Sequence, residues 1–347
     1  GSNVRRSNGA LGFAPTFGGN VNVTYLAGVT TGPELSATNL NNLEIDASSA
    51  TVTLASSLNP TVAGNLTLTN GTLDDNGNTI TLNGDATAST GTSITGGGTL
   101  LLSGGSDTYL LQGDGTYGNV ELDETTDFAS ADEAEVTAGA TLGNVTVTNG
   151  VFDVKDNGAT VNGNVDATSG GTFQISGGTA VDVNGDVTVN GTLNLSATVG
   201  GDLRVSGDFT VNGTLNGNSR LVEFDGSSNQ TISGSTNPSI DFFEINNSNG
   251  VTIDGSTLTV PNTLTLDQGA ISQANGGALT LPDGSNVRRS NGSLGFAPSF
   301  VGTVNVTYLA GVTSGFELSA TNLNNLEIDA GSATVTLASS LNPTVAG

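Results

Sequence analysis

The chain contains two nearly identical copies of one long sequence. Residues 1–64 recur as residues 284–347, and the two copies differ at only seven positions, namely Ala10/Ser293, Thr16/Ser299, Gly18/Val301, Asn20/Thr303, Thr31/Ser314, Pro33/Phe316 and Ser48/Gly331. Such identity indicates a tandem array, with residues 1–283 as one full unit and residues 284–347 as the start of the next. Tandem repetition favours an extended fold of stacked modules over a fold built around one active site.

A shorter period runs inside the long unit. Apolar and polar residues alternate in segments 65–73, 144–152 and 186–193, and this alternation predicts strands. An Asn-Gly pair interrupts each segment and predicts a corner, because Gly adopts positive φ easily. Equivalent apolar positions are spaced by about 21 residues, which predicts roughly 13 coils in the 283-residue unit. These positions are Leu43, Leu66, Val145, Val165, Val187, Leu264 and Leu326.

Two all-β architectures use many short strands. Hairpins connect the strands of an antiparallel sandwich or barrel, whereas a parallel solenoid stacks each coil on the one before. Uniform coil length and Gly-Asn or Gly-Asp pairs at 64–65, 118–119, 143–144, 163–164, 185–186 and 201–202 favour the solenoid. We predict an all-β, right-handed parallel β-helix with Asn ladders at one corner. At about 4.8 Å per coil, one unit would be about 60 Å long.

Composition excludes several classes of partner. Seven Lys and Arg residues stand against 32 Asp and Glu residues, so the net charge is −25. Nucleic acids and anionic lipid headgroups would be repelled, and no segment approaches the ~18 consecutive apolar residues of a membrane span. We therefore expect no nucleic acid partner and no direct membrane insertion. The absence of Cys fits either a cytosolic protein or a long secreted protein that must cross envelopes without trapping disulfides. The low Lys and high Thr, Asn and Gly content favours the secreted protein.

The residue types of most active sites are missing. The chain has no His, no Cys and a single Lys, Lys155, which excludes Ser-His, Cys-His and zinc sites built on His or Cys. A glycosidase needs only a pair of carboxylates. We interpret the pair Asp74-Asp75 as part of a corner, and we interpret the acidic run as a solvated loop; the run contains Asp123, Glu124, Asp127, Asp132, Glu133 and Glu135. We expect no enzymatic activity and no organic cofactor.

Calcium is the metal that the acidic composition favours. Acidic solenoids can bind Ca²⁺ through Asp, Asn and backbone oxygens. Segments 104–107 and 113–115 combine Gly with Asp but lack the Gly-Gly-x-Gly-x-Asp spacing of calcium-binding nonapeptides. We expect diffuse screening of the charge by cations, and specific Ca²⁺ sites stay open as an alternative.

The start of each copy breaks the coil rhythm and concentrates basic and aromatic residues. These residues are Arg5, Arg6, Phe13, Phe17 and Tyr25 in the first copy, and Arg288, Arg289, Phe296, Phe300 and Tyr308 in the second. One interpretation is a wider coil or loop in which the two Phe residues pack across a Pro turn. The other interpretation is an adhesive node that presents an exposed patch once per unit.

Several segments resemble the repeats of a known class of surface protein. These segments are 21–25, 40–46, 64–73 and 243–253. They resemble repeats of very large β-helical surface proteins of Bacteroidota and related bacteria, which are similar to adhesins exported by the type IX secretion route, including gliding-motility adhesins. The resemblance covers essentially the whole chain. It implies a β-helical fold, an extracellular location at the bacterial cell surface and a role in attachment or gliding.

We therefore expect a structural shaft of a long extracellular fibre, which gives reach and presents adhesive regions. Its partners would be neighbouring repeat units of the same chain and surface glycans. Two alternatives stay open. In the first, the repeat itself binds carbohydrates or surfaces. In the second, rods pack side by side in a sheath or matrix.

Overall fold

A computed structural model describes residues 1–36, 39–104, 108–124, 133–155, 158–319, 323–339 and 341–347. The described residues form a nearly all-β fold without α-helices, in which parallel sheets stack as a β-solenoid of about 15 turns with a spacing of roughly 21 residues. Two short 3-10 turns, Pro33–Leu35 and Phe316–Leu318, occupy the same place in the two sequence copies. The parallel pairing confirms the predicted solenoid and excludes the antiparallel sandwich.

The chain divides into two compact units, residues 1–181 and residues 182–347. The strands of the first unit are β1 Ser2–Arg6, β2 Val21–Tyr25, β3 Leu40–Thr53, β4 Thr61–Val62, β5 Leu66–Asp74, β6 Thr79–Leu82, β7 Ala86–Ala88, β8 Ser93–Thr95, β9 Thr99–Leu102, β10 Thr108–Gln112, β11 Asn119–Asp123, β12 Glu133–Val136, β13 Thr141–Leu142, β14 Val145–Val154, β15 Thr160–Val161 and β16 Val165–Ile175. Strand β17, Val181–Val183, spans the boundary.

Strands of the first unit stack in three parallel sheets. One sheet runs from β1 through β2 and the first half of β3 to the first half of β5 and then β7. A second contains the second halves of β3 and β5, followed by β8. The third runs through β4, β6, β9, β11 and β14. A coil therefore returns to the same sheet after about 21 residues, one strand spacing further along.

The second unit repeats this arrangement. Its strands are β18 Val187–Val189, β19 Thr192–Asn194, β20 Leu203–Val205, β21 Phe209–Val211, β22 Thr214–Asn216, β23 Leu221–Phe224, β24 Gln230–Ser233, β25 Phe242–Asn246, β26 Val251–Asp254, β27 Thr257–Thr259, β28 Thr263–Gln268, β29 Ala270–Ala274, β30 Ala278–Pro282, β31 Ser285–Arg289, β32 Ser293–Leu294, β33 Ser299–Val301, β34 Val304–Tyr308 and β35 Leu323–Ile328.

One long sheet of the second unit crosses the boundary of the sequence repeat. It runs β20–β23–β25–β28–β31–β34–β35, and β28 and β31 lie on opposite sides of the boundary at 283/284. A second sheet runs β18–β21–β24–β26–β29–β32, and further parallel pairs are β27–β30–β33 and β19–β22. The next repeat is thus added through the same backbone ladder as any other coil.

The inward-facing residues of successive coils stack on one another. Leu43 lies opposite Leu66, and both are fully buried, as the predicted spacing requires. The rings of Phe152 and Phe173 stack at 5.9 Å between centroids. Burying such a side chain contributes about 1.5–3 kcal/mol. Because each coil covers only its neighbours, the free energy of unfolding is approximately a sum of contributions from single coils and from the contacts between neighbouring coils. The predicted anchor Leu326 is an exception, since it lies in the last strand and is partly exposed.

Asn and Asp side chains form the predicted ladder at the corners. Oδ1 of Asn119 accepts hydrogen bonds from the backbone N–H of Asn144 at 3.0 Å and from its side-chain amide at 3.1 Å. Asn144 in turn accepts one from the backbone N–H of Asn164 at 2.8 Å. Asp186 accepts one from the N–H of Asp208, also at 2.8 Å. Each of these side chains therefore satisfies a backbone donor on the next coil.

Glycine adopts a left-handed conformation at two of the three predicted Asn-Gly corners. Gly71 and Gly150 have φ of +96° and +99°, in the region that L side chains rarely adopt. A Cβ atom on Gly71 would lie 2.5 Å from the carbonyl oxygen of Ala50 on the neighbouring coil. Both the backbone conformation and the close approach of coils explain these positions.

Candidate functional site

The basic and aromatic residues at the start of each copy meet a buried glutamate. In the first copy, Nη1 of Arg6 and the hydroxyl of Tyr25 each donate to Oε1 of Glu34 at 2.6 Å. The backbone N–H of Gly32 donates to the same oxygen at 3.0 Å. Glu34 lies on the 3-10 turn, and Arg6 and Tyr25 are register partners on β1 and β2. The turn thus places a carboxylate next to two adjacent strands, and these strands hold the two side chains that donate hydrogen bonds to it.

The second copy builds the same network. Arg289 and Tyr308 are register partners and donate to Oε1 of Glu317 at 2.5 Å and 2.8 Å. The backbone N–H of Gly315 donates to the same oxygen at 2.7 Å. Phe316 replaces Pro33 in this turn without altering the network. All members come from one 64-residue copy, so the network is complete without residues of another copy.

Burial and hydrogen bonding act in opposite directions on the glutamate. Burial alone would raise the pKa of the Glu34 carboxyl, but the hydrogen bonds from Tyr25, a backbone N–H and Arg6 outweigh it and lower that pKa. Burial and the adjacent carboxylate raise the pKa of the Tyr25 hydroxyl. The network at neutral pH therefore holds an ionised Glu, a neutral Tyr and a cationic Arg. Oε2 of both Glu34 and Glu317 has no hydrogen-bond partner among the described residues.

Four residues of the predicted adhesive node belong to this network. Tyr25 and Tyr308 are at most 1% exposed, and Arg289 is buried. The side chain of Arg6 is 11% exposed. These four residues hold the coil together and do not form a surface patch, which is a correction to the adhesive interpretation for them.

The remaining residues of the predicted node differ in exposure. Phe13 is 75% exposed, Arg5 and Arg288 are exposed, and the others are partly exposed, namely Phe17, Phe296 and Phe300. Arg5 lines a cavity of about 240 Å³ together with Leu11. Arg288 lines a different cavity, in which neither Phe296 nor Phe300 takes part. An adhesive role for the exposed residues stays a prediction.

The cavity at Arg288 is a groove of about 550 Å³ on the outer face of the β20–β35 sheet. We call it the junction groove and define it by Val199, Arg220, Leu221, Phe242, Glu244 and Arg288. Leu221 and Phe242 are successive register partners on β23 and β25. The groove is also lined by a second row of outward-facing residues, which are register partners on β25, β28 and β31. In this row, Thr265 lies between Glu244 and Arg288.

Charges of both signs lie along this second row. Arg204 lies on β20, before the row begins, and forms ion pairs with Glu223 and Asp182, at 3.1 Å in each case. Burial raises the pKa of Glu244, the charges of its neighbouring carboxylates raise it further, and Arg288 opposes them. The groove thus combines a half-buried carboxylate with guanidinium groups and an apolar floor.

The sequence carried one signal for the groove that our interpretation did not use. Phe242 and Phe243 are consecutive in a strand, and alternation requires one of them to face outward. Phe243 is fully buried, whereas Phe242 lines the groove. An outward-facing aromatic residue on a polar solenoid face was therefore predictable, although its neighbours were not.

The first carboxylate pair considered for catalysis is corner structure, as predicted. Asp75 is buried, and its Oδ1 accepts hydrogen bonds from the backbone N–H groups of Gly77 at 3.0 Å and Gly98 at 2.7 Å. Asp74 accepts one from the N–H of Asn76 at 2.9 Å. Both carboxylates thus accept hydrogen bonds from backbone N–H groups at the corner.

The acidic run differs from the predicted solvated loop. Glu124 is buried and accepts a hydrogen bond from the hydroxyl of Tyr109 at 2.6 Å. Asp123 accepts one from the side-chain amide of Asn149 at 2.7 Å. The prediction of a solvated side chain is therefore wrong for Glu124, because this residue directly follows β11 and its side chain is buried. Asp127 and Asp132 lie outside the described residues.

The end of the acidic run forms an ion-pair cluster around the single lysine. Nζ of Lys155 lies 2.7 Å from Asp153, 3.0 Å from Glu133 and 3.3 Å from Glu135. Asp153 is fully buried. One cation thus offsets three neighbouring carboxylates on adjacent strands β12 and β14.

Within the described ranges, no group of three or more His, Cys, Asp or Glu side chains is placed to hold a metal ion. Specific Ca²⁺ sites stay a prediction, and residues 105–107 of one suggested segment lie outside those ranges. In the same part of the chain, none of the helical turns has the length and apolarity needed to cross a membrane.

Comparison of the chain with protein-family models, with curated proteins and with solved structures found no match in any of the three. The resemblance to Bacteroidota surface proteins therefore rests on the segments quoted above and stays a prediction. The function has to be argued from the repeat and from the geometry.

Proposed function

We propose that this chain is a segment of the structural shaft of a bacterial cell-surface fibre, which holds adhesive regions away from the cell. The observation that carries the proposal is strand pairing across the repeat boundary. β28 at the end of one repeat pairs with β31 at the start of the next, and β31 pairs with β34. Repeats joined in this way need no linker.

Joining repeats by strand pairing favours a function in which the protein provides length. Each further coil adds one strand spacing of about 4.8 Å and covers the apolar face of the coil before it. The Arg–Tyr–Glu network and the Asn ladders recur without help from another chain. Units can therefore be added without a new architecture, as a spacer requires.

Charge favours single fibres over a laterally packed sheath. The net charge of −25 makes the surfaces of two such chains repel each other over roughly a Debye length, about 8 Å in physiological salt. Side-by-side packing would need bridging cations. The low Lys and high Thr, Asn and Gly content supports the extracellular location.

The test is attachment of intact cells whose array has been shortened to one 283-residue unit, with any terminal domains retained. Loss of attachment mainly where reach is needed, such as past a capsule, supports the spacer. Loss in proportion to the units removed, on every surface, would replace the spacer with an adhesive repeat. Unchanged attachment on all surfaces would refute an attachment role.

A further inference from the structure

The junction groove has the size and lining of a ligand site. Its volume of about 550 Å³ falls in the usual range for ligand pockets, ~300–1,000 Å³. Val199 is 80% exposed, and with Leu221 and Phe242 it supplies apolar surface beside polar groups. Leu221 and Phe242 face outward on strands whose other outward positions are polar.

The backbone beneath the groove is not available to a ligand. β23 lies between β20 and β25, β25 lies between β23 and β28, and β28 lies between β25 and β31. The N–H and C=O groups of these strands are therefore engaged in ladders, and an extended peptide cannot add as a further strand here. Recognition has to come from side chains.

Two of the side chains are guanidinium groups without a carboxylate partner. In the described part of the chain, ion pairs engage four of the seven basic residues, which are Arg6, Lys155, Arg204 and Arg289. Arg220 and Arg288 both line the groove and form no ion pair there. In a chain of net charge −25, this is a local site for an anion. A planar guanidinium matches a carboxylate with two parallel hydrogen bonds.

The other polar groups suit hydroxyls. Asp202 and Glu244 can accept hydrogen bonds from hydroxyl groups, and Thr263 and Thr265 can donate or accept. The face of the Phe242 ring is electron-rich and suits the C–H groups on one face of a sugar. We infer that the junction groove binds an acidic saccharide, with carboxylates on Arg220 and Arg288 and a ring against Phe242. This inference goes beyond the structural function and does not depend on it.

The groove is completed by the boundary between repeats. Arg288 belongs to the second repeat, whereas Arg220, Phe242 and Glu244 belong to the first. Arg5 has the same neighbours in sequence as Arg288, yet it lines a different cavity with Val4 and Leu11. Each boundary between complete repeats would therefore form one site.

The test is calorimetric titration of the 347-residue chain with trigalacturonic acid and sialyllactose, and with galactotriose and lactose as neutral counterparts. We expect saturable binding of an acidic sugar, at least about tenfold tighter than its neutral counterpart. Arg288→Gln and Arg220→Gln should each weaken binding about tenfold, and Phe242→Ser should weaken it further. Arg5→Gln is the matched control and should leave the affinity unchanged.

Several outcomes would overturn the inference. These are no saturable binding of either acidic sugar, equal affinity for the neutral sugars, or equal effects of Arg5→Gln and Arg288→Gln. Both arginines are exposed, so thermal unfolding of the two variants should match that of the parent and exclude misfolding as the cause. Failure here leaves the shaft proposal intact, because the attachment test measures dependence on unit number and uses no sugar.

Discussion

The first 64 and the last 64 residues have almost the same sequence and different surroundings. Ile45 is fully buried, whereas its counterpart Ile328 is 53% exposed. Strand β3 covers Leu40–Thr53, while β35, at the corresponding place, covers only Leu323–Ile328. β5 stacks on β3 in the first copy, whereas β35 is the last strand among the described residues and meets only an isolated bridge, from Leu323 to Val345, on its following side. The following coil thus determines both burial and strand length.

At the start of the copies, the second copy is the more buried one. Val4 is partly exposed in β1, whereas Val287 is fully buried in β31. β31 lies between β28 and β34, while β1 is paired with β2. A preceding coil therefore buries residues that the same sequence leaves exposed without one.

The Arg–Tyr–Glu network, in contrast, is the same in both copies. Glu34 and Glu317 are both fully buried, and each accepts from an Arg, a Tyr and a backbone N–H of its own copy. Interactions whose members all lie within one copy are thus reproduced, whereas contacts with coils outside the copy depend on position in the stack.

The largest effect should come from breaking the network, and it should be equal in the two copies. Glu34→Ala and Glu317→Ala each leave a largely buried arginine without its partner, which typically costs about 3–5 kcal/mol. Hydrogen exchange of the amides in β2 and β34 measures the cost locally. Glu327→Ala, at an exposed position, is the control and should change stability by less than about 0.5 kcal/mol. A difference above about 1 kcal/mol between the first two variants would contradict the autonomy of the network.

A smaller and unequal effect is expected for the isoleucine pair. Ile45→Ala should cost about 2–5 kcal/mol because it opens a cavity between stacked coils. Ile328→Ala should cost less than about 1 kcal/mol, since more than half of its side chain is already in water. Hydrogen exchange in β3 and β35 gives both values. Equal costs would show that the coil that follows is not what buries Ile45.

The smallest effect should be the pH dependence of the stability of the first copy. The folded pKa of Glu34 lies below its unfolded value of about 4.3, so its contribution is complete above that value and is lost as the pH falls through the folded pKa. Other carboxylates also titrate in this range, so the useful quantity is the difference between the parent and Glu34→Gln. That difference should shrink on acidification. A constant difference from neutral to acidic pH would exclude ionised Glu34 as its source.

Much of the fold could be predicted because its signals are local. Alternation identified the strands around Leu66 and Val145, the Asn-Gly pairs identified the corner at Gly71, and Asp74-Asp75 was recognised as corner chemistry. The site was less predictable. Glu34 drew no attention in the sequence, because its partner Arg6 is 28 residues away and joins it only through a turn.

The sequence by itself determined the coil length of about 21 residues, the corners and the alternation of inward and outward residues, since these follow from backbone geometry within one coil. The tertiary structure decided which inward residues are buried, because burial requires a coil on each side, as Ile45 and Ile328 demonstrate. It also decided that Arg288 and not Arg5 meets Phe242 in a groove. That groove needs side chains of several stacked coils in register, and no local pattern in the chain encodes which of them lie together.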